Sequence, residues 1–137
     1  MSERETDYGR EIIELHEFFG RWFRGELENT DAVFARFADV IGDDFHIIAP
    51  DGTITRRADL MAGLRAGYQR QHDAKVWIEN IHLRQRVGTI RIVTYEEWIE
   101  RDGQPKGRVS TVVFQENNAM PNGLQWLHVH ETWLPEA

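Results

Sequence analysis

TIRIVTYEEWIERDGQPKGRVSTVVFQE, Thr89 to Glu116, is the stretch on which the fold turns. Two runs rich in β-branched and aromatic residues flank the polar break Arg101-Asp102-Gly103, the pattern of two antiparallel strands joined by a tight turn. Side chains on a strand alternate between faces, so Ile90, Ile92, Thr94, Glu96 and Trp98 oppose Arg91, Val93, Tyr95, Glu97 and Ile99. In the second run Ser110, Val112 and Phe114 oppose Thr111 and Val113. Neither face is purely polar, which predicts that both are covered.

Working outward, VWIENIHLRQRV (residues 76–87) precedes this hairpin and GLQWLHVHETWL (123–134) follows it, with short loops at Val87-Gly88 and between Asn117 and Gly123. Four sequential strands form an antiparallel meander. The N-terminal half reads differently. From Asp7 to Arg24, Ile12, Leu15, Phe19 and Trp22 recur at helical spacing, widened by Phe18 and Phe23 and closed by Gly25. NTDAVFARFADVIG (29–42) starts with cap residues Asn29 and Thr30 and sets Val33, Phe34, Phe37 and Ile41 on one side, predicting a second helix that closes at Gly42. A strand from Phe45 to Ile48, a turn at Pro50-Asp51-Gly52 and a brief returning strand come next, then a third helix carrying Leu60, Leu64 and Tyr68. Helices first and a meander afterward give an α+β domain, with helices packed on one face of a curved antiparallel sheet.

The 137 residues suit one domain with a real core. A net charge of -7, without a continuous basic stripe, argues against nucleic acid as a partner. The absence of cysteine removes disulfides and thiolate chemistry and fits a reducing compartment. The charged start MSERETDYGR and the lack of a long apolar run point to a soluble, cytoplasmic protein without a membrane partner.

The order of elements, with FFGRWFRGELENTDAVFARF, FHIIAPDGT, VTYEEW, DGQPKGRVSTVVF and GLQWLHVHETW, resembles the NTF2-like superfamily over nearly the whole chain. That superfamily includes ketosteroid isomerases, the SnoaL-like polyketide cyclases and the association domain of calcium/calmodulin-dependent kinase II. Trp126, Val129 and His130 match the Trp-x-x-Val-His ending of that association domain. The resemblance implies a single cystatin/NTF2-like cone over residues 1–137, with a pocket between the helices and the concave sheet. In ketosteroid isomerases a catalytic aspartate stands just before a Pro-x-Gly turn; here Ala49 precedes Pro50-Asp51-Gly52, so that base is missing.

With Ala49 facing the pocket, the resemblance makes Val93, Tyr95, Glu97, Thr111, Val113, Val129, Glu131 and Trp133 concave. Such a lining is apolar with a few polar anchors and suits a small, mostly apolar molecule. Glu97 and Glu131 are the candidate acid or base, because two carboxylates brought together in a low-polarity cavity repel and one holds its proton toward neutrality. The alternative is that either carboxylate meets an arginine such as Arg91 or Arg108, or opens to solvent. Tyr95 is the candidate hydrogen-bond donor to a developing oxyanion. No cofactor is expected. His128 and His130 could reach one metal, but no further ligand has a spacing that completes a site, so no metal is expected and the two are read as interface histidines. Trp98, Phe114 and Trp126 are assigned to the other face, where a homodimer forms through the sheet. RDGQPKGR is read as a solvated hairpin tip, and Trp22, Phe18 and Tyr68 as core residues that could also reach the pocket.

Overall fold

A computed structural model describes residues 3–135. After a short 3-10 turn at Glu3–Glu5, helix α1 runs Asp7–Arg24. Thr6 caps it by accepting from the Gly9 amide at 3.0 Å, and Asp7 and Arg24 stand at the ends that the helix dipole favours. Gly25 ends it in the left-handed conformation (φ 73°), with the Glu26 amide returning to the Arg21 carbonyl at 2.9 Å. Helix α2 covers Asp31–Ala38, with Thr30 accepting from the Val33 amide. It stops earlier than its periodicity predicts: Ile41 and Gly42 open strand β1, Ile41–Ile48, because the Val40 carbonyl and Ile41 already pair with Trp126. Strand β2 is Ile54–Arg56 and helix α3 is Arg57–Ala66. The meander follows as β3 (Lys75–Val87), β4 (Ile90–Arg101), β5 (Gln104–Glu116) and β6 (Leu124–Trp133).

The sheet order is β2-β1-β6-β5-β4-β3, and β1 lies parallel to β6, so the sheet is mixed where a purely antiparallel one was expected. A parallel partner follows from the long excursion through β2, α3 and the meander, which returns β6 beside β1 in the same direction. The β4–β5 turn has two residues, Asp102 and Gly103, both at positive φ (52° and 75°), as a primed hairpin turn requires. Asn80 at φ 53° sits in a bulge of β3, and a further irregularity interrupts β6 at Leu127.

The core lies between α1, α2 and the inner sheet face. Ile12, Leu15 and Trp22 meet Phe37, Val93, Val112, Phe114, Trp126 and Val129, all buried. One polar knot is embedded in it. Glu11, fully buried, accepts from Arg36 at 2.8 Å, Asn122 at 3.0 Å and the Trp126 indole at 2.8 Å. These partners supply the hydrogen bonds that a buried carboxylate needs, and they tie α1, α2 and the β5–β6 loop to β6. No helix among the described residues is long and apolar enough to cross a membrane.

Candidate functional site

The two-residue turn fixes which residues share a face. Tyr95 pairs with Ser110, Glu97 with Arg108 and Val93 with Val112. Across β5 and β6, Ser110 pairs with Glu131, Arg108 with Trp133 and Val112 with Val129. Residues directly opposite on neighbouring strands point the same way, so Ser110, Val112 and Phe114 join Tyr95 and Glu97 on the inner face. Thr111 pairs with Thr94 and His130, and Val113 with Ile92 and His128, all on the outer face. The expectation that Thr111 and Val113 face the pocket is therefore corrected. In β6 two residues advance while β5 advances one, between the Phe114–Trp126 and Val113–His128 pairs. That extra residue, Leu127, reverses the alternation and brings Trp126 onto the same face as Val129, Glu131 and Trp133. Phe114 and Trp126 are consequently core residues and not part of an outer interface; Trp98 remains outside, stacked on Trp77 with ring centroids 6.0 Å apart.

Between this inner face and the helices lies a cavity of about 690 Å³. Its walls are mostly apolar: Phe19 and Phe23 from α1, Phe37 from α2, Phe45 and Ile47 from β1, Leu60 and Leu64 from α3. Tyr95, Glu97, Val129, Glu131 and Trp133 line it as well. Trp22 and Phe18 instead pack in the core, and the Tyr68 hydroxyl donates to the Leu27 carbonyl.

At the polar end of the cavity Arg108 bridges the two carboxylates. It binds Glu97 directly, and its Nε lies 2.8 Å from Glu131 Oε2. His16 approaches Glu97 from α1, with Nε2 at 2.8 Å from Oε2, while its Nδ1 lies 2.7 Å from the Ile12 carbonyl. Both ring nitrogens thus face oxygen acceptors, a backbone carbonyl on one side and a carboxylate on the other. The Ser110 hydroxyl stands 3.5 Å from Glu131.

The carboxylates are nearly equally buried, yet their surroundings separate them. Burial pushes the Glu97 carboxyl up, but the charges and hydrogen bonds of His16 and Arg108 outweigh it and hold the group at about 2. Burial also pushes Glu131 up, Glu97 adds repulsion, and the attraction of Arg108 and His16 does not compensate, so it rises to about 7. The Tyr95 hydroxyl is driven well above its ordinary value by burial and by both glutamates, and stays a neutral donor. The site thus holds one fixed anion and one carboxyl that changes charge near neutrality.

His16 and Trp126 were not among the residues expected here. A histidine on the apolar stripe of α1, four residues after Ile12, was the available signal for the first. Arg91, the other candidate partner for the glutamates, instead holds Asp7 and Glu116. His46 and His128 meet on the outer face with ring centroids 4.7 Å apart and planes inclined by 58°. Among the described residues no three His, Asp or Glu side chains converge on a possible metal site.

The family model for the C-terminal domain of sucrose-6-phosphate phosphohydrolase matches residues 8–135. The chain belongs to that family. Among curated relatives, sucrose-phosphatase 1 of Nicotiana tabacum is 26% identical over 130 residues, covering 93% of this chain but 31% of the tobacco protein. The chain thus spans about a third of the length of the curated relatives it matches. In three dimensions this family member superposes on an NTF-2-like protein of unknown function from Pseudomonas aeruginosa with a TM-score of 0.84 at 21% identity, covering 94% and 99% of the two chains. It superposes on the S. rosetta CaMKII hub with a TM-score of 0.59 at 17% identity, covering 75% and 86%. Further neighbours are described as cystatin-like or as a putative ketosteroid isomerase. The fold is NTF2-like, and these likenesses establish the fold alone.

Proposed function

We propose that this domain binds a small, mostly apolar molecule in the cone, with the polar cluster at its end recognising one hydrogen-bonding group. The observation that carries the reading is a cavity of about 690 Å³ whose aromatic and aliphatic walls converge on Glu97, Arg108 and Glu131. That volume and composition match small-molecule sites in general. Glu131 is the group that would meet the ligand, since Glu97 is committed to His16 and Arg108. If the ligand is transformed, Glu131 supplies the acid or base and Tyr95 the hydrogen bond to a developing oxyanion, in a cofactor-free isomerisation, cyclisation or dehydration. Glu97 then acts as a positioning anion, because a carboxyl held at about 2 is a weak base near neutral pH. The sucrose-phosphatase relatives carry roughly two thirds of their length outside the matched region, and the reading rests on this cone alone.

A screen of hydrophobic acids, ketones and lactones by thermal melting tests the proposal. Binders should raise the melting temperature of the native chain, and Glu131→Gln should change their affinities while preserving the far-UV spectrum. A screen in which no member stabilises the protein, or in which Glu131→Gln alters none of the affinities, refutes the pocket reading.

A second reading is assembly. The outer sheet face carries the Trp77–Trp98 stack together with Ile92 and Val113, a surface suited to a second copy of the chain. It uses the opposite face and is compatible with an occupied cone.

A further inference from the structure

The cavity wall beyond the polar cluster is not apolar to its end. Inner-face positions on the β4–β5 hairpin continue from Glu97 and Arg108 through Ile99 and Lys106 to Arg101 and Gln104, and Arg101, Gln104, Pro105 and Lys106 all line the cavity. The last four are solvent-exposed, so this hairpin tip forms the rim. At roughly 3.4 Å of rise per residue, Lys106 stands about 7 Å along the strand from Arg108, and Arg101 about 14 Å from Glu97. Trp133 completes the rim, 43% exposed, with the Lys106 ammonium 3.8 Å from its ring centroid.

The charges on this lining are unbalanced. Glu97 and Glu131 are the acidic residues that line the cavity, and Arg108 engages both of them. Arg101 and Lys106 form no ion pair with any described residue, whereas neighbouring Glu100 is held by Lys75 at 3.4 Å. Asp102 lies in the turn itself and does not line the cavity. In a chain of net charge -7, two cations without an ion-pair partner among the described residues stand at the mouth of an apolar cavity, where they favour an approaching anion.

Resting on the pocket reading above, we infer that the ligand is an amphiphilic anion: an apolar body in the cone, flanked by Phe19, Phe23 and Trp133, with a carboxylate or phosphate held at the rim by Arg101 and Lys106. An anion entering head-first would meet Glu97 and Glu131 after losing its hydration. Rim binding leaves the charged head partly solvated, where pairing with a cation carries a small desolvation cost. Arg101 suits either head group through its planar fork, and Lys106 adds a point charge.

A matched set of probes tests this: 4-phenylbutanoate, 4-phenylbutyl phosphate, 4-phenylbutan-1-ol and 4-phenylbutylamine, titrated into the intact chain and into Arg101→Ala/Lys106→Ala, with tryptophan fluorescence as readout. Both substitutions fall on exposed side chains, and far-UV circular dichroism checks the fold. The anions should bind at least tenfold more tightly than the alcohol, with the amine weakest. In the double variant the ratio of anion to alcohol affinity should fall to within twofold. A phosphate preferred over the carboxylate, or the reverse, identifies the head group and supports the inference in either case. Equal binding of alcohol and anions to the native chain overturns the inference and leaves the pocket standing. So does an anion advantage that survives in the double variant. Failure of all four probes to bind overturns the pocket reading and the inference with it.

Discussion

Replacing Glu131 with glutamine removes a proton-binding group while keeping the shape of the protonated side chain. In the folded protein this carboxyl rises from an ordinary value of 4.5 to about 7 because burial and the Glu97 charge outweigh Arg108. Below 4.5 the group is protonated in both folded and unfolded chains and has no linkage effect. As the pH climbs from 4.5 to 7 the unfolded chain releases the proton while the folded chain retains it, so stability falls. Above 7 the loss is complete. At about 1.4 kcal/mol per tenfold change in proton affinity, the full loss is roughly 3 kcal/mol.

Urea unfolding at pH 5 and pH 8 reads this directly. Glu131→Gln should be within about 1 kcal/mol of the native chain at pH 5, where both side chains are neutral. It should gain roughly 3 kcal/mol relative to the native chain at pH 8, a midpoint shift of about 1 to 3 M for a domain of this size. Glu97 does not confound the window. Its folded value is depressed to about 2, so its contribution is fully present above 4.5 and is lost only as the pH falls toward 2. Parallel pH profiles for native and variant chains between 5 and 8 would refute the assignment of the labile proton to Glu131.

Three further outcomes follow from the same geometry. His16→Leu leaves buried Glu97 with Arg108 alone and should cost about 3 kcal/mol near neutral pH, shrinking in acid as Glu97 protonates; a pH-independent loss would mean that only packing was removed. Trp126→Phe deletes the indole donor at 2.8 Å from buried Glu11 and should cost about 1 to 2 kcal/mol by urea unfolding, whereas an unchanged midpoint would show that Glu11 is satisfied without it. Trp98→Glu puts a charge on the outer face beside Trp77 and should convert any dimer to monomer in sedimentation, while leaving probe binding in the cone intact; an unchanged dimer would place the contact elsewhere.

The architecture was legible because its signals are local. Helical spacing and Gly25 bounded α1 at both ends, and the alternation in residues 90–101 defined β4. The end of α2 was not local. Phe37 and Ile41 are four apart, as on a helix, yet Ile41 belongs to a strand because pairing with β6 captures the chain there. The same reason explains the parallel β1–β6 contact, which depends on where a distant segment returns.

The lining residues divide along a similar boundary. Tyr95, Glu97, Val129, Glu131 and Trp133 share a face that the resemblance could orient. Thr111 and Val113 were misplaced although the sequence held the correction: a two-residue turn at Asp102-Gly103 pairs position 101 with 104, hence 95 with 110 and 93 with 112. Counting across that turn puts Ser110 and Val112 beside Tyr95. Trp126 had no such signal, because the extra residue at Leu127 becomes visible only when β6 is paired with β5. One residue in the bulge moves a tryptophan from the outer face to the core, where it closes the Glu11 knot and lines the cavity.

That bulge also explains how a single strand can serve the core, the cavity and the outer face within eight residues. In an unbroken strand, Trp126 would share a face with His128 and His130, and the cavity would lose an aromatic wall while Glu11 lost an indole donor. With Leu127 as the extra residue, Trp126 and Glu131 both point inward while His128 and His130 remain outside. Glu131 is then buried beside Arg108 and Ser110 in an environment that raises its proton affinity, and Glu97, two strands away on β4, is held by a helix residue that no strand pattern could reveal. The difference between the two carboxyls therefore arises from tertiary placement: His16 reaches Glu97 from α1, while Glu131 receives only its share of Arg108.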